Sequence, residues 1–193
     1  MSNNKLLGRL RVYSRVTKLD AILRRYFIIG AFDGALTILG VILGAAAAGH
    51  LTREIVLSSG IGGGIALAIS SIVGAYEAER MECRVLQTNI ERAMLSPISG
   101  TEFDEVLKVS AVLSSLIHGL APLLAALIPV SPFIFLDVKT AAVMSITITL
   151  LFLFFMGFYF GKLAREKMIM SGLRFVLVGI ITSLVIVIFF GGH

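Results

Sequence analysis

Residues 27–49 read FIIGAFDGALTILGVILGAAAAG, twenty-three residues with a single charge, Asp33. At ~1.5 Å per residue a helix of that length spans the ~30 Å hydrocarbon core of a bilayer. No water inside lipid pairs backbone N–H and C=O groups, so such a run is a helix. Four further apolar runs stand at about 55–76, 109–130, 140–161 and 174–191. The third continues in composition to Leu136, but Pro129 and Pro132 with Ser131 between them predict an exit turn near 130. The predicted fold class is an all-α membrane protein with five transmembrane helices.

Composition agrees. Hydrophobic residues are 57% of the 193 and charged residues 15%, with a mean hydropathy of +0.95. A soluble domain covers its surface with about 25% charged residues. That excludes a soluble enzyme, a disordered chain and a disulfide scaffold. The single cysteine, Cys83, permits no intrachain disulfide and no four-cysteine zinc site.

The basic residues give an orientation. Fifteen of the seventeen lie in 1–26, in 77–108 or in the connection between the fourth and fifth spans. Only Arg53 and Lys139 lie on the other side. The positive-inside rule then predicts a cytoplasmic N-terminus and an outside C-terminus, in the cell (cytoplasmic) membrane. The net charge of +5 is a topology signal, and no nucleic-acid partner is expected. Residues 1–26 form a basic segment too polar for a cleaved signal. Val12, Val16, Leu19 and Leu23 recur there at helical spacing, which fits either an amphipathic helix on the lipid surface or a plain basic anchor of topology. Residues 27–193 form the membrane domain, including the connection 77–108, expected to be a short cytoplasmic helical hairpin turned at residues 96–100.

Asp33 is the only carboxylate inside a span. Burying it in hydrocarbon costs about 2.5–3.5 kcal/mol, so it faces protein, water or an ion. Thr37, Gly40 and Gly44 share its helix face. Gly30/Gly34 and Gly40/Gly44 are two GxxxG pairs that let helices approach closely. Such a stripe suits a cation path; equally, it suits a packing seam with a capping acid. His118, midway along the third span, can relay protons or bind a transition metal, or simply pair with a carbonyl freed by Pro122. Ser71 in the second span joins these as a candidate for the path.

The connection 77–108 carries seven acids against four bases, net −3, on a side that is otherwise basic. Glu79 and Glu82 are three apart, as are Glu102 and Glu105, a spacing that puts each pair on one helix face. Carboxylate pairs of this kind bind metals, while Arg80, Arg84 and Arg92 can instead neutralise them. No Walker A lysine, HExxH or GxSxG occurs, so neither an ATP-driven pump nor an enzyme is expected.

Phe32-Asp33-Gly34 through Gly44-Ala45-Ala46-Ala47-Ala48-Gly49 resembles the first span of the vacuolar iron transporter family. Gly74-Ala75-Tyr76 stands where that family has Gly-Glu-Tyr, and Ala121-Pro122-Leu123-Leu124 with the stretch 128–133 resembles its proline-rich third span and exit. Residues 174–179 resemble the start of its fifth span. The resemblance covers most of residues 27–190. It implies a homodimer whose first spans line a path for ferrous ion, a metal-binding cytoplasmic connection and exchange against protons. Asp33 matches the pore aspartate, and the metal ligands would be Asp33, Glu79, Glu82, Glu102 and Glu105. The family's Ser-Met is Ser71-Ile72 here, its Glu is Ala75, and the connection is shorter with fewer glutamates. The chain thus resembles a divergent, prokaryotic-type member, and losing the thioether relaxes any preference for softer metals. The expectation is a divalent-cation transporter for Fe²⁺ or Mn²⁺, with no tightly bound cofactor. The alternative is a non-transporting assembly or regulatory subunit of the same fold.

Overall fold

The computed structural model describes residues 19–98 and 100–190, and of Glu102 the backbone alone. Among the described residues six helices follow one another: α1 (Leu19–Ala47), α2 (Arg53–Met94), α3 (Glu102–Val130), α4 (Pro132–Phe135), α5 (Val138–Ala164) and α6 (Met168–Phe190). All but α4 are long and apolar enough to cross a membrane, and no strand occurs among the described residues. Val12 and Val16 of the expected amphipathic segment, and the terminal His193, lie outside the described residues. Leu19 and Leu23 belong to α1, which runs into the first span without a break.

Helix ends follow local chemistry. The Thr52 hydroxyl accepts the Ile55 amide to start α2, and the Asp137 carboxylate accepts the Thr140 amide at 3.1 Å to start α5. That amide holds the Asp137 carboxyl below the usual carboxylate range. Gly49, with φ of +73°, closes α1 as the His50 amide reaches back to the Ala45 carbonyl at 3.0 Å. Pro122 and Pro129 sit inside α3 without ending it. Pro129 comes one residue before the last, and the chain then re-enters a single turn, α4, with Pro132 first.

The charged connection is indeed helical. α2 continues past the apolar run to Met94, and α3 begins at Glu102. Side chains lock the turn between them. Glu91 accepts the Ile98 amide at 2.9 Å. Asp104 accepts the Gly100 amide at 3.0 Å and the Lys108 ammonium at 2.9 Å. Lys108, and then the Gly100 amide, hold the Asp104 carboxyl below the usual range. A depressed carboxyl stabilises the fold above its unfolded value near 3.8, and that contribution is lost as pH falls through the folded value. The hairpin therefore stays locked at mildly acidic pH.

α1 is the centre of the bundle. It touches α2, α3, α5 and α6, while α2 lies mainly on α3 and α6 mainly on α5. Ala35, Ile38, Leu39 and Ile42 of α1 are fully buried. Ile38 and Ile42 pack with Val56, Ala126, Val130, Phe133 and Ala141 at one end. Ile28 and Ala31 pack with Ala121, Ala125 and Met156 toward the other. α2 buries Val56, Gly60, Gly64 and Ala68, four residues apart, a small-residue ridge seated on α3. Van der Waals contact is what holds helices together in lipid, and small residues bring more backbone within its range.

Candidate functional site

The glycines of α1 serve two different faces. A Cβ on Gly30 would stand 2.7 Å from the His118 carbonyl oxygen and 2.8 Å from the Pro122 ring, and one on Gly34 would strike the Pro122 backbone itself. Pro122 has no N–H to offer the His118 carbonyl, so that oxygen is free to sit against the glycine. Gly30 and Gly34 are thus spent on the α1–α3 contact. A Cβ on Gly40 would meet only the Ile186 side chain, at 3.5 Å, and one on Gly44 would meet nothing within 4 Å.

This arrangement aims Asp33. Gly34 faces α3, and the preceding residue stands about 100° round the helix, on the outside. Asp33 and Thr37 are exposed, and Gly40 and Gly44 are half-buried. The predicted stripe of Asp33, Thr37, Gly40 and Gly44 is therefore an open seam of one chain. The Thr37 hydroxyl donates to the Asp33 backbone carbonyl at 2.7 Å and so needs no other partner. Among the described residues, no hydrogen bond or ion pair engages the Asp33 carboxylate. An uncovered carboxylate on a membrane span is the one feature of this surface that lipid cannot satisfy.

His118 lies on the other side of the same helix end. Its Nδ1 is 3.2 Å from the Tyr26 carbonyl oxygen, which places the proton of the neutral ring on Nδ1 and leaves a lone pair on Nε2. Its ring packs on Tyr26 with centroids 4.9 Å apart. The carbonyl it binds comes from Tyr26 of α1, not from the turn opened by Pro122.

Tyr26 carries no signal in the sequence beyond its place at the edge of the first span. Its hydroxyl donates to Glu79 Oε1 at 2.7 Å, fifty-three residues away, and the Arg25 guanidinium lies 5.2 Å from its ring centre. Tyr26 therefore joins His118 to the acidic connection. Ser114, one turn from His118 on α3, is fully buried, and its hydroxyl has no partner among the described residues. Neither residue stands out by spacing or by motif, because both matter only through contacts between helices.

The remaining candidates are spread out. Glu79 is half-buried and held by Tyr26, while Glu82 and Glu105 are exposed. Among the described residues, no three of His, Cys, Asp and Glu converge on one point. Ser71 is half-buried, with no hydrogen bond to Asp33 or His118 among the described residues. Its neighbour Ile72 packs into the α2–α3 contact against Gly119, and Ala75 is buried. Those two positions hold packing residues in this chain. The Cys83 thiol donates to the Leu107 carbonyl at 3.6 Å and ties α2 to α3.

Comparison with known proteins adds two findings. The sequence profile described as the VIT family matches the chain over residues 24–97 and again over 91–190. An uncharacterized protein of Methanocaldococcus jannaschii is 33% identical over 155 residues, covering 79% of this chain and 80% of that relative.

Proposed function

The chain belongs to the VIT family of membrane metal-ion transporters, and from that premise we propose that it exchanges a divalent cation, Fe²⁺ or Mn²⁺, against protons. The path runs along a homodimer seam lined by α1. The observation that carries this is Asp33, exposed on the outer face of a central helix whose apolar run 27–47 holds no other charge, and flanked by Thr37, Gly40 and Gly44. A second copy laid on that seam covers the carboxylate and sets two Asp33 side chains on one axis. A dehydrated divalent cation between them is held by both charges. When it leaves, the like charges repel, and protons neutralise them. His118 and Tyr26 form a chain of contacts that ends at Glu79. The test is uptake of Fe²⁺, Mn²⁺, Co²⁺ and Zn²⁺ into proteoliposomes across a pH gradient. Metal-dependent proton counterflow is expected, and flux indifferent to the pH gradient would refute exchange.

The acidic hairpin supplies the entrance. Glu79, Glu82, Glu102 and Glu105 concentrate cations there and bind them weakly. Calorimetry on the full chain should show weak metal binding that disappears when all four become Gln. Identical isotherms would leave a solvated hairpin with no metal role.

We place the N-terminus inside and the C-terminus outside the cytoplasmic membrane. The two lone basic residues support this, because Arg53 donates to the Leu136 carbonyl at 2.8 Å, three residues from Lys139, so both mark one end of the bundle. Reporter fusions at Arg53, Lys139 and the C-terminus should all report the outer side. A cytoplasmic signal at Lys139 would overturn the orientation.

A further inference from the structure

The acidic connection hides a basic groove. Where α2 and α3 leave the membrane, they enclose a cavity of about 380 Å³. Arg80, Arg84 and Lys108 line it against one carboxylate, Asp104. The surrounding segment is net −3, yet three of its four bases line this one groove. Asp104 is already engaged by Lys108 and the Gly100 amide. Glu77 reaches Arg80 at 3.4 Å, an exposed pair of little strength. Among the described residues, no acid pairs with Arg84.

The level and the shape of the groove point to a ligand. Tyr76 and Val112 line its floor, at the ends of the second and third spans. That is the depth of lipid headgroups, where tyrosine sits at the membrane–water boundary. Below it the outer surface is aliphatic and exposed, with Val73 at 58%, Val112 at 46% and Leu116 at 42%. Cations above an open apolar face match a phosphate above an acyl chain, and basic pockets between membrane helices recognise such headgroups. We propose that this groove binds the phosphate of an anionic membrane lipid.

Native mass spectrometry of the full chain released from micelles tests it. With phosphatidylglycerol, bound-lipid adducts should survive at concentrations where phosphatidylcholine gives none. Each basic residue near an anionic lipid surface is worth about fivefold in binding. Arg84→Gln should weaken phosphatidylglycerol binding roughly fivefold and Arg80→Gln/Arg84→Gln roughly 25-fold. Arg84→Lys should keep most of it, as should Lys162→Gln, which changes a cation on a different connection. These side chains are exposed, so a matched circular-dichroism spectrum keeps the comparison valid. Millimolar inorganic phosphate should not displace the lipid. Displacement by phosphate, or adducts indifferent to Arg80 and Arg84, would overturn the lipid assignment.

Discussion

Asp33→Asn is expected to abolish metal flux into proteoliposomes while the protein still folds and pairs. Asparagine keeps the size of the side chain but removes the charge and cannot take up the exchanged proton. No described neighbour depends on the carboxylate, so the bundle loses no bond by the change. The effect on a bound cation is large. A carboxylate attracts a cation ~4 Å away by about 4 kcal/mol per unit of cationic charge at an effective dielectric near 20. Losing that at both copies removes several powers of ten in occupancy. Asp33→Glu should retain partial flux, since it keeps the charge and the exchangeable proton. Initial rates of Mn²⁺ and Fe²⁺ uptake decide the matter. Wild-type rates in Asp33→Asn would make Asp33 a packing residue and remove the main support for a path along α1.

Gly34→Ala is expected to damage the fold, although it adds one methyl group. That methyl would strike the Pro122 backbone, which cannot rotate aside as a side chain can. Relief requires α1 to move off α3, and with it the buried Ile38 and Ile42. Overpacking in a tight core costs about 1–3 kcal/mol, and a backbone obstacle belongs at the upper end. The thermal midpoint in detergent should fall by several degrees. Gly62→Ala on α2, whose methyl meets nothing within 4 Å, should not lower it. Equal midpoints for the two variants would mean that α1 does not rest on Pro122 as described.

The glycines of α1 show what could be read in advance and what could not. Apolar length revealed five spans because lipid imposes its demand on composition directly. The face shared by Asp33, Thr37, Gly40 and Gly44 followed from helical periodicity alone. Periodicity could not tell that Gly30/Gly34 would be consumed inside the chain while Gly40/Gly44 stayed open, since both pairs have the same spacing. Hydropathy marks the solvent and not the helix, so the spans ended near 76 and began near 109 on paper, while α2 runs to Met94 and α3 starts at Glu102. Pro122 was visible as a helix breaker. Its use is different: the carbonyl it frees, His118, is where Gly30 fits. Tyr26 and Ser114 were silent because their partners come from other helices, which no local pattern announces.

From Ala75 to Met94 the second helix contains neither glycine nor proline, an uninterrupted helical length of about 30 Å. It has no joint at which motion could be absorbed. A tilt of about 5° at its base carries Met94 roughly 2.6 Å, and a force at the tip returns along the same lever. Drawing the two arms of the hairpin together around an ion would therefore be felt at the base, where Tyr26 grips Glu79 and α3 bears on Gly34. On the proposed function, the hairpin would then be a handle on the bundle as much as a funnel above it.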